Sequence, residues 1–334
     1  MVRVAVIILN WNGEKWLKQF LPAALDNTNA ELGKIVVVDN ASSDGSAELM
    51  KREFPQVEYV QFDKNYGFAG GYNRAIALRS EEFVVLLNSD VEVAAGWLDP
   101  LVQMLDDEPS VVAVQPKIRA FRNKDHFEYA GACGGFIDYL GFPFCRGRIL
   151  DVTEKDDGQY DDACEVFWCS GAALCIRKDA YLQVGGLDER FFAHMEEIDM
   201  CWRLRRRGGS LKVAPQSVVF HYGGGSLPMN HPRKLFLNYR NNLLMLYKNL
   251  DAKSWRGVRL RRVILDFAAA CMFALKGEWA NVKSVRQAYK EFNAMKGFYT
   301  QPAGPQDKDA CIYRKSLIFK YYLGGRRTFS NIWK

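Results

Sequence analysis

Short apolar runs alternate with helical patterns through the first third of the chain. Runs that are apolar at consecutive positions, as in parallel strands buried on both faces, cover residues 4–9, 35–38, 83–87 and 111–115. Apolar residues at helical spacing lie between them, over residues 14–25, 46–54 and 72–79. The alternation predicts an α/β fold in which helices flank an open, mainly parallel sheet.

The pattern changes after residue 117. Residues 117–165 are rich in glycine, aromatic and acidic residues, which predicts an insertion of loops and short strands. The acidic run 156–162 lacks EF-hand spacing and is interpreted as a solvated loop. A strand, a helix and a strand are then predicted over 164–177, 199–207 and 217–221, before a glycine-rich turn at 223–225. We therefore divide the chain into an α/β domain, residues 1–230, and a mainly helical extension, residues 231–334.

Charge separates the same two parts. The chain has 334 residues, 49% hydrophobic and 25% charged, which is ordinary globular usage and argues against disorder. Residues 1–230 carry 24 basic and 33 acidic side chains, whereas residues 231–334 carry 21 basic and 6 acidic ones. The extension is therefore strongly basic, although the net charge of the whole chain is only +6.

Two interpretations of the basic extension stay open. It is either a helical appendage with a solvated cationic face or a dock for an anionic membrane surface. Nucleic acid is disfavoured as a partner because no recognition motif accompanies the charge. The most apolar stretch, 263–275, has 13 residues and falls short of the roughly 20 that a spanning helix needs. The eight scattered cysteines, with no C-x-x-C pair and no leader pattern before them, favour reduced thiols in a cytoplasmic protein.

Polar side chains follow three predicted strands at the point where each strand ends. They are Asn10, Trp11 and Asn12 after the first, Asp39 after the second, and Asn88, Ser89 and Asp90 after the third. One such residue is usually a turn residue or helix cap, but three groups at one sheet edge predict a ligand crevice. The segment 65–71 is glycine-rich and lets backbone approach a ligand closely. No G-x-G-x-x-G follows the first strand and no P-loop occurs, which disfavours a dinucleotide-binding fold and a nucleotide triphosphatase.

These motifs resemble the GT-A type, family 2 glycosyltransferases, and within them the rhamnosyltransferase-like branch. The resemblance spans about residues 3–250 and is specific because many motifs occur in the family's order. They cover residues 6–13, 36–46, 65–73, 86–91, 170–172, 185–192 and 196–203. The resemblance implies a GT-A fold and inverting transfer of a sugar from a nucleotide diphosphate sugar to a hydroxyl group.

The resemblance also implies the donor site. The donor-binding residues would be Asn10, Trp11, Asn12, Asp39, Asn65, Gly67, Asn73, Asn88 and Ser89. The donor would carry a pyrimidine nucleotide, as dTDP-rhamnose or a UDP-sugar. The family's D-x-D-like element reads Asn88-Ser89-Asp90 here, so Asp90, with His221, is the expected ligand of Mn²⁺ or Mg²⁺.

The family's general base lies in an acidic pair that opens a helix. The usual Glu-Asp pair is Glu196-Glu197 here, so Glu197 occupies the base position with one extra methylene, and Glu196 is the alternative. Both glutamates could instead serve only the positive helix N-terminus. The acceptor side would be formed by Trp168, Gly171 and Ala172, with Trp168 either a core aromatic or a sugar-stacking residue.

The residues and the resemblance together predict a metal-assisted, inverting hexosyltransferase of cell-surface polysaccharide assembly. Its acceptor would be a saccharide or lipid-linked saccharide, and it would act in the cytoplasm or peripherally on the inner face of the membrane. The alternative is a nucleotide-sugar-binding protein with impaired catalysis, because the acidic pair departs from the family pattern. A nicotinamide-dependent oxidoreductase is disfavoured by the missing glycine fingerprint.

Overall fold

Strands and helices alternate along the first part of the computed structural model, which describes residues 2–223, 231–304 and 311–333. The strands are β1 (Val4–Asn10), β2 (Gly33–Asp39), β3 (Glu58–Gln61), β4 (Phe83–Asn88), β5 (Val91–Val93), β6 (Val111–Ala120), β7 (Asn123–Phe127), β8 (Gly135–Asp138), β9 (Pro143–Cys145), β10 (Arg148–Ile149), β11 (Val152–Thr153), β12 (Cys164–Glu165), β13 (Ala173–Arg177), β14 (Ser210–His221) and β15 (Ile312–Tyr313). The helices are α1 (Glu14–Asn27), α2 (Ser46–Glu53), α3 (Gly67–Ala77), α4 (Asp99–Asp107), α5 (Lys178–Gln183), α6 (Glu196–Arg206), α7 (Pro232–Asn249), α8 (Ala252–Leu275), α9 (Trp279–Met295), α10 (Leu317–Tyr322) and α11 (Phe329–Ile332).

A mixed sheet forms the centre of the molecule. Its strands follow the order β12-β14-β6-β13-β4-β1-β2-β3. β3, β2, β1 and β4 are parallel, β13 runs antiparallel to β4 and β6, and β14 runs parallel to β6. The carboxyl ends of β1, β2, β4, β6 and β14 therefore share one edge with the amino end of β13. The predicted α/β fold, with a mainly parallel sheet flanked by helices, is confirmed.

The central strands are apolar at consecutive positions because hydrophobic clusters cover both faces of the sheet. Ile7 and Val36 belong to one cluster, and their sequence neighbours Val6 and Val37 belong to the other. Alternate residues of a strand point to opposite faces, so each strand contributes to both clusters.

Two helices begin earlier than the sequence predicts. α3 begins at Gly67 rather than residue 72, so the glycine-rich segment forms its first turns. A Cβ at Gly71 would lie 2.7 Å from the Leu9 side chain, which explains a glycine where the helix packs on β1. α6 begins at Glu196 rather than residue 199, so the acidic pair opens the helix.

The insertion, residues 117–165, supplies most of a second sheet, of order β11-β10-β9-β8-β15. Its last strand, β15, comes from the extension and pairs with β8 in parallel. Asp138 of β8 accepts a hydrogen bond from the backbone N–H of Leu317, at 2.9 Å. Aromatic rings from both segments pack together, with Phe136 and Trp333 centred 4.5 Å apart.

The acidic run of the insertion is not a simple solvated loop, and that interpretation was wrong for Asp156. Its side chain is 6% exposed and accepts hydrogen bonds from the buried Lys117 ammonium at 3.0 Å. Asp161 contacts the same ammonium from the exposed side. A buried lysine requires paired carboxylates, and the run provides them.

The extension packs against the α/β domain through α7. The Lys248 ammonium lies 2.8 Å from the Asp188 carboxylate and 2.9 Å from that of Asp199, on α6. Asn249 donates a further hydrogen bond to Asp199 at 2.8 Å. Within the described ranges, no helix is both long enough and apolar enough to cross a bilayer. The glycine-rich turn predicted at 223–225 extends beyond the described residues after Gly223.

Candidate active site

The ends of β1 and β2 form a connected polar cluster. The buried Asn10 amide donates hydrogen bonds at 3.0 Å to Asp39 and to Ser46. The second Asp39 oxygen accepts from the backbone N–H of Ser42 at 2.7 Å. Asn12 has a left-handed conformation (φ 49°). Its backbone N–H donates to the Ser42 hydroxyl, and its side-chain oxygen accepts from the backbone N–H of Ser43, both at 2.8 Å. The predicted donor residues Asn10, Asn12 and Asp39 therefore lie together, and the indole of Trp11 is 54% exposed beside them.

Asn40 joins this cluster to the start of α3. Its amide donates at 3.0 Å to the Asn65 side chain and to the Gly67 carbonyl, and its oxygen accepts from the N–H of Tyr66. Gly67 has a φ of 72°, and a Cβ there would lie 2.9 Å from the Phe192 ring. Only glycine combines this conformation with this close approach at low cost. Asn65 and Gly67 thus lie at the same sheet edge as Asp39.

The turn after β4 brings the third group of polar residues to that edge. The N–H of Asn88 donates to the Ala172 carbonyl at 3.0 Å, and a Cβ at Gly13 would lie 3.6 Å from the Ser89 hydroxyl. The carboxylate of Asp90 follows, 8% exposed as a residue. Asn88, Ser89 and Asp90 therefore connect the donor-side cluster to the strand that begins after Ala172.

His221, the last residue of β14, lies between two carboxylates. Its Nε2 is 3.2 Å from Asp90 Oδ1, and its Nδ1 is 3.3 Å from Glu128 Oε2. Burial would lower the pKa of His221, but the two carboxylates outweigh burial and raise it to about 10. Burial likewise acts to raise the pKa of Asp90, and the His221 charge outweighs it and holds that pKa below its usual value.

This arrangement fits a metal site that is only partly made by protein. Asp90 and His221 point at each other, and Glu128 contacts the opposite imidazole nitrogen, as carboxylates do behind metal-binding histidines. In the part of the chain that the structure describes, no group of three or more potential ligands surrounds one point. Two protein ligands would therefore need diphosphate and water oxygens to complete a divalent cation's shell.

The acidic pair lies at the first turn of α6, where Glu196 is buried and Glu197 is half-buried. One carboxylate oxygen of each glutamate, Glu196 and Glu197, is inaccessible and has no hydrogen-bond partner among the described residues. Burial, opposed by backbone N–H groups of residues 195, 197 and 198, raises the pKa of Glu197 to about 6. Burial and the charge of Glu197 raise the pKa of Glu196 further. Such a carboxylate is a suitable proton acceptor near neutral pH.

Gly171 connects the acidic pair to the Asp90 turn. A Cβ at Gly171 would lie 3.1 Å from the Phe68 ring and 3.7 Å from the Glu197 Cβ. Its neighbour, Ala172, carries the carbonyl that binds Asn88. Gly171 and Ala172 therefore connect Glu197, the candidate general base, to the turn that ends in Asp90.

Left-handed backbone precedes the acidic pair. Phe192, His194 and Met195 have φ values of 66°, 70° and 71°, although none is glycine. Strain of this kind persists only where surrounding contacts impose it. The fully buried Asn241 amide of α7 donates to the carbonyls of residues 191, 193 and 194 at 3.0, 2.8 and 2.8 Å. Its neighbour Arg240 donates at 3.1 Å to the residue 191 carbonyl.

Two predicted site residues lie elsewhere. Asn73 lies on α3, where its amide binds the backbone of Leu187 and the Tyr181 hydroxyl, so its role is structural. Trp168 is 3% exposed and donates through its ring nitrogen to the Phe136 carbonyl at 2.9 Å. Sugar stacking by Trp168 was therefore the wrong alternative, because the ring belongs to the core. Gly171 and Ala172 stay at the crevice.

Several residues of the site were not identified from the sequence. Glu128 is in the irregular insertion, and no pattern there distinguishes it from the other acids. Asn40 belongs to a recognised motif, yet its bridging role depends on the α3 turn. Arg240 and Asn241 lie in the extension, and their contacts with residues 190–194 connect them to the site.

Comparison with known proteins agrees with this architecture. Residues 5–166 match the sequence profile of Glycosyl transferase family 2. The N-acetylglucosaminyl-diphospho-decaprenol L-rhamnosyltransferase of Mycobacterium tuberculosis is 26% identical over 259 residues, covering 72% of this chain and 83% of that protein.

Two solved structures share the fold. The mannosyltransferase PcManGT from Pyrobaculum calidifontis, in complex with GDP-Man and Mn²⁺, matches with a TM-score of 0.53 at 15% identity, covering 88% of this chain and 75% of that one. S. aureus TarS 1-349, in complex with UDP-GlcNAc, matches with a TM-score of 0.58 at 13% identity, covering 87% and 80%. Over residues 5–166 the chain therefore resembles glycosyl transferase family 2, and it shares its fold with solved glycosyltransferases.

Proposed function

We propose that this chain is an inverting glycosyltransferase that moves a sugar from a pyrimidine nucleotide diphosphate sugar to an acceptor hydroxyl. One observation carries the proposal. The Glu197 carboxylate has an inaccessible oxygen with no hydrogen-bond partner among the described residues, and Glu197 lies beside Gly171, whose neighbour Ala172 binds the turn that ends in Asp90, the partner of His221. We take Glu197 as the proton acceptor and the Asp90–His221 pair as the leaving-group site.

Glu197 is proposed as the general base. In its ionised form it would take the proton from the acceptor hydroxyl while that oxygen bonds to the anomeric carbon and the bond to the diphosphate breaks. The attack and the departure occur on opposite faces of the sugar, so a single displacement inverts the anomeric centre. The raised pKa of Glu197, about 6, leaves it ionised at neutral pH and basic enough to accept a proton.

Asp90 and His221 would hold a divalent cation, with Glu128 orienting the imidazole. When bound, Mn²⁺ or Mg²⁺ neutralises charge that develops on the departing diphosphate. The Mn²⁺ in the PcManGT complex supports the choice of ion. Asp39, Asn10 and Asn12 would bind the nucleoside, since their amides and carboxylate suit a base and ribose.

Rhamnose, as dTDP-rhamnose, is the proposed sugar because the decaprenol-dependent relative is a rhamnosyltransferase. That relative's name also supports a lipid-linked saccharide as acceptor. Such an acceptor would place the enzyme at the cytoplasmic face of a membrane, within cell-surface polysaccharide assembly. A nucleotide-sugar-binding protein without turnover is the second candidate, favoured by the extra methylene of Glu197.

Calorimetric titration with UDP, dTDP and GDP, each with and without Mn²⁺, tests the donor site. We expect Mn²⁺-dependent binding of one pyrimidine nucleotide, abolished by Asp90→Asn and retained by the exposed control Asp107→Asn. Tighter binding of GDP would overturn the pyrimidine assignment.

Turnover is tested with the sugar of the nucleotide that binds. Glu197→Gln should leave nucleotide binding intact and abolish release of the sugar from the nucleotide. Glu197→Asp, which introduces the family's usual residue, should retain that release. Donor binding without release by the unmodified chain, with lipid-linked acceptors supplied, would favour the non-catalytic alternative. Single displacement would be excluded if NMR shows that the anomeric carbon of the product retains the configuration of the donor.

A further inference from the structure

The second half of α8 turns an apolar face away from the rest of the protein. Its buried residues, Trp255, Val258, Arg262 and Asp266, share one side of the helix. The opposite side carries Leu260, Val263, Ile264, Phe267 and Leu275, which are 66%, 42%, 61%, 70% and 88% exposed. These positions recur at intervals of three, four and eight residues, so they form one stripe along the helix.

The stripe continues beyond the helix. Cys271 is exposed within it, and Trp279, at the start of α9, is 63% exposed. Single exposed apolar side chains are ordinary, but a continuous row of large ones marks a surface that meets an apolar partner.

Positive charge surrounds the stripe. Exposed basic residues flank it on α8 at Lys253, Arg256, Arg259, Arg261 and Lys276. A groove of about 490 Å³ lies beside them, and its lining includes Tyr139, Phe319 and Leu323 with Arg314, Lys315 and Lys320. The Arg261 guanidinium lies 6.0 Å from the Tyr139 ring, which joins the groove to the helix. None of the described lining residues is acidic.

This charge decides between the possible partners. A second copy of the chain would bring two extensions together, each with 21 basic and 6 acidic residues, and repulsion would oppose the contact. An anionic bilayer offers an apolar layer beneath negative headgroups, which matches an apolar stripe with basic flanks. We infer that α8 lies in the headgroup region of an anionic lipid bilayer, with its apolar stripe inserted and the basic groove against lipid phosphates. The inference rests on the proposed function for one point, that a lipid-linked acceptor would bring the enzyme to a membrane.

Cys271 allows a direct test on the full chain. All eight cysteines lie in the described residues; Cys271 is exposed, Cys164 is half-buried and the other six are buried, so a polarity-sensitive thiol fluorophore at limiting concentration should label Cys271 first. We expect a blue shift with vesicles containing about one third phosphatidylglycerol, and a much smaller one with pure phosphatidylcholine. The same fluorophore on a Cys271→Ser, Ser80→Cys variant, at the amino ends of the central strands, should not shift.

Substitutions separate the stripe from the groove. Phe267→Ser with Leu275→Ser should weaken flotation with the anionic vesicles at least about tenfold, because two large apolar side chains no longer insert. Arg314→Gln with Lys320→Gln should weaken it mainly at low salt. The exposed control pair Leu78→Ser, just after α3, with Leu182→Ser, on α5, should bind as the unmodified chain does.

Nucleotide binding by calorimetry accompanies each variant, so that loss of vesicle binding with nucleotide binding intact supports the inference independently of catalysis. Unchanged flotation of the Phe267→Ser, Leu275→Ser variant would overturn it, as would equal binding to anionic and neutral vesicles. A dimer in solution that this variant dissociates, without any vesicle effect, would assign the stripe to a second copy instead. If the unmodified chain binds anionic vesicles but no nucleotide, the result would contradict the proposed donor site and would still support the membrane surface.

Discussion

Asn241→Ala removes the side chain that holds the left-handed segment before the acidic pair. Its amide contacts three buried carbonyls, at residues 191, 193 and 194. One amide nitrogen has two hydrogens, so these contacts amount to about two full hydrogen bonds of roughly 1 kcal/mol each. The segment should therefore become about 2 kcal/mol easier to open, which is about a 30-fold change in the opening equilibrium.

Hydrogen exchange measures this opening directly. Amides of residues 192–197 should lose about 30-fold of their protection in Asn241→Ala, while those of β1 and β4 exchange as before. Sugar release should fall by up to about 100-fold, because a displaced Glu197 no longer meets the acceptor hydroxyl. Nucleotide affinity should stay unchanged, since the donor-side cluster lies on β1 and β2.

Asn242→Ala is the matched control. Asn242 is the next residue of α7 and is also buried, but it binds the Gly141 carbonyl and the Arg262 guanidinium, and its contact with the left-handed segment is a weak one, to Met195 Sδ at 4.0 Å. It should lower global stability without selective exchange at residues 192–197. Equal exchange profiles of the two variants would refute the positioning role of Asn241, as would a loss of nucleotide affinity that matches the loss of turnover.

Four further predictions concern the ionisation of Glu197, the backbone at Gly67 and the buried Lys117. The rate of transfer should rise with pH through about 6, because Glu197 must be ionised to accept a proton. Below the pKa of Glu197 the rate should rise about tenfold per pH unit. A pH–rate profile that is flat between pH 5 and 7 would contradict this prediction. The folded-state pKa of Glu197 exceeds the unfolded value of about 4.3, so ionisation of Glu197 destabilises the fold as pH rises between these two pKa values. Glu197→Gln should therefore raise the free energy of unfolding, measured in urea, by about 1–2 kcal/mol at pH 8 and leave it unchanged at pH 4. Gly67→Ala should cost about 1–2 kcal/mol and slow turnover, since the new Cβ meets the Phe192 ring at a positive φ; an unchanged melting temperature would contradict it. Lys117→Met should lower stability by about 2 kcal/mol, because it removes the closer of the two cations beside the Asp156 carboxylate and leaves only Arg119, at 3.4 Å; Lys117→Met with Asp156→Leu should recover much of the loss.

The strands and the donor-side edge could be predicted because local signals determine them. Continuous apolar runs at residues 4–9 and 83–87 indicate strands buried on both faces, and parallel strands bring their carboxyl ends to one edge. Asn10, Asp39 and Asp90 each end or follow such a run, so their convergence follows from topology alone.

The remaining features of the site depend on contacts between distant segments. Glu128 meets His221 across 93 positions of sequence, and Trp168 packs into the core because the insertion folds over it. Asn241 reaches the left-handed segment from α7, a helix in which residues 240–246 are all buried, so its pattern does not single out Asn241. Periodicity reports burial and does not report which carbonyl a buried amide meets.

The second sheet has a consequence for exchanging segments between related proteins. β15 completes the sheet built by the insertion, and Phe136, Phe144, Phe329 and Trp333 interlock the two segments. A chimera that exchanges residues 117–165 alone would remove Asp138, leave the N–H of Leu317 without its acceptor and create a mismatched aromatic seam. The insertion and the C-terminal segment should therefore be transplanted as a pair, and libraries that vary the two jointly should yield more folded variants than libraries that vary either alone.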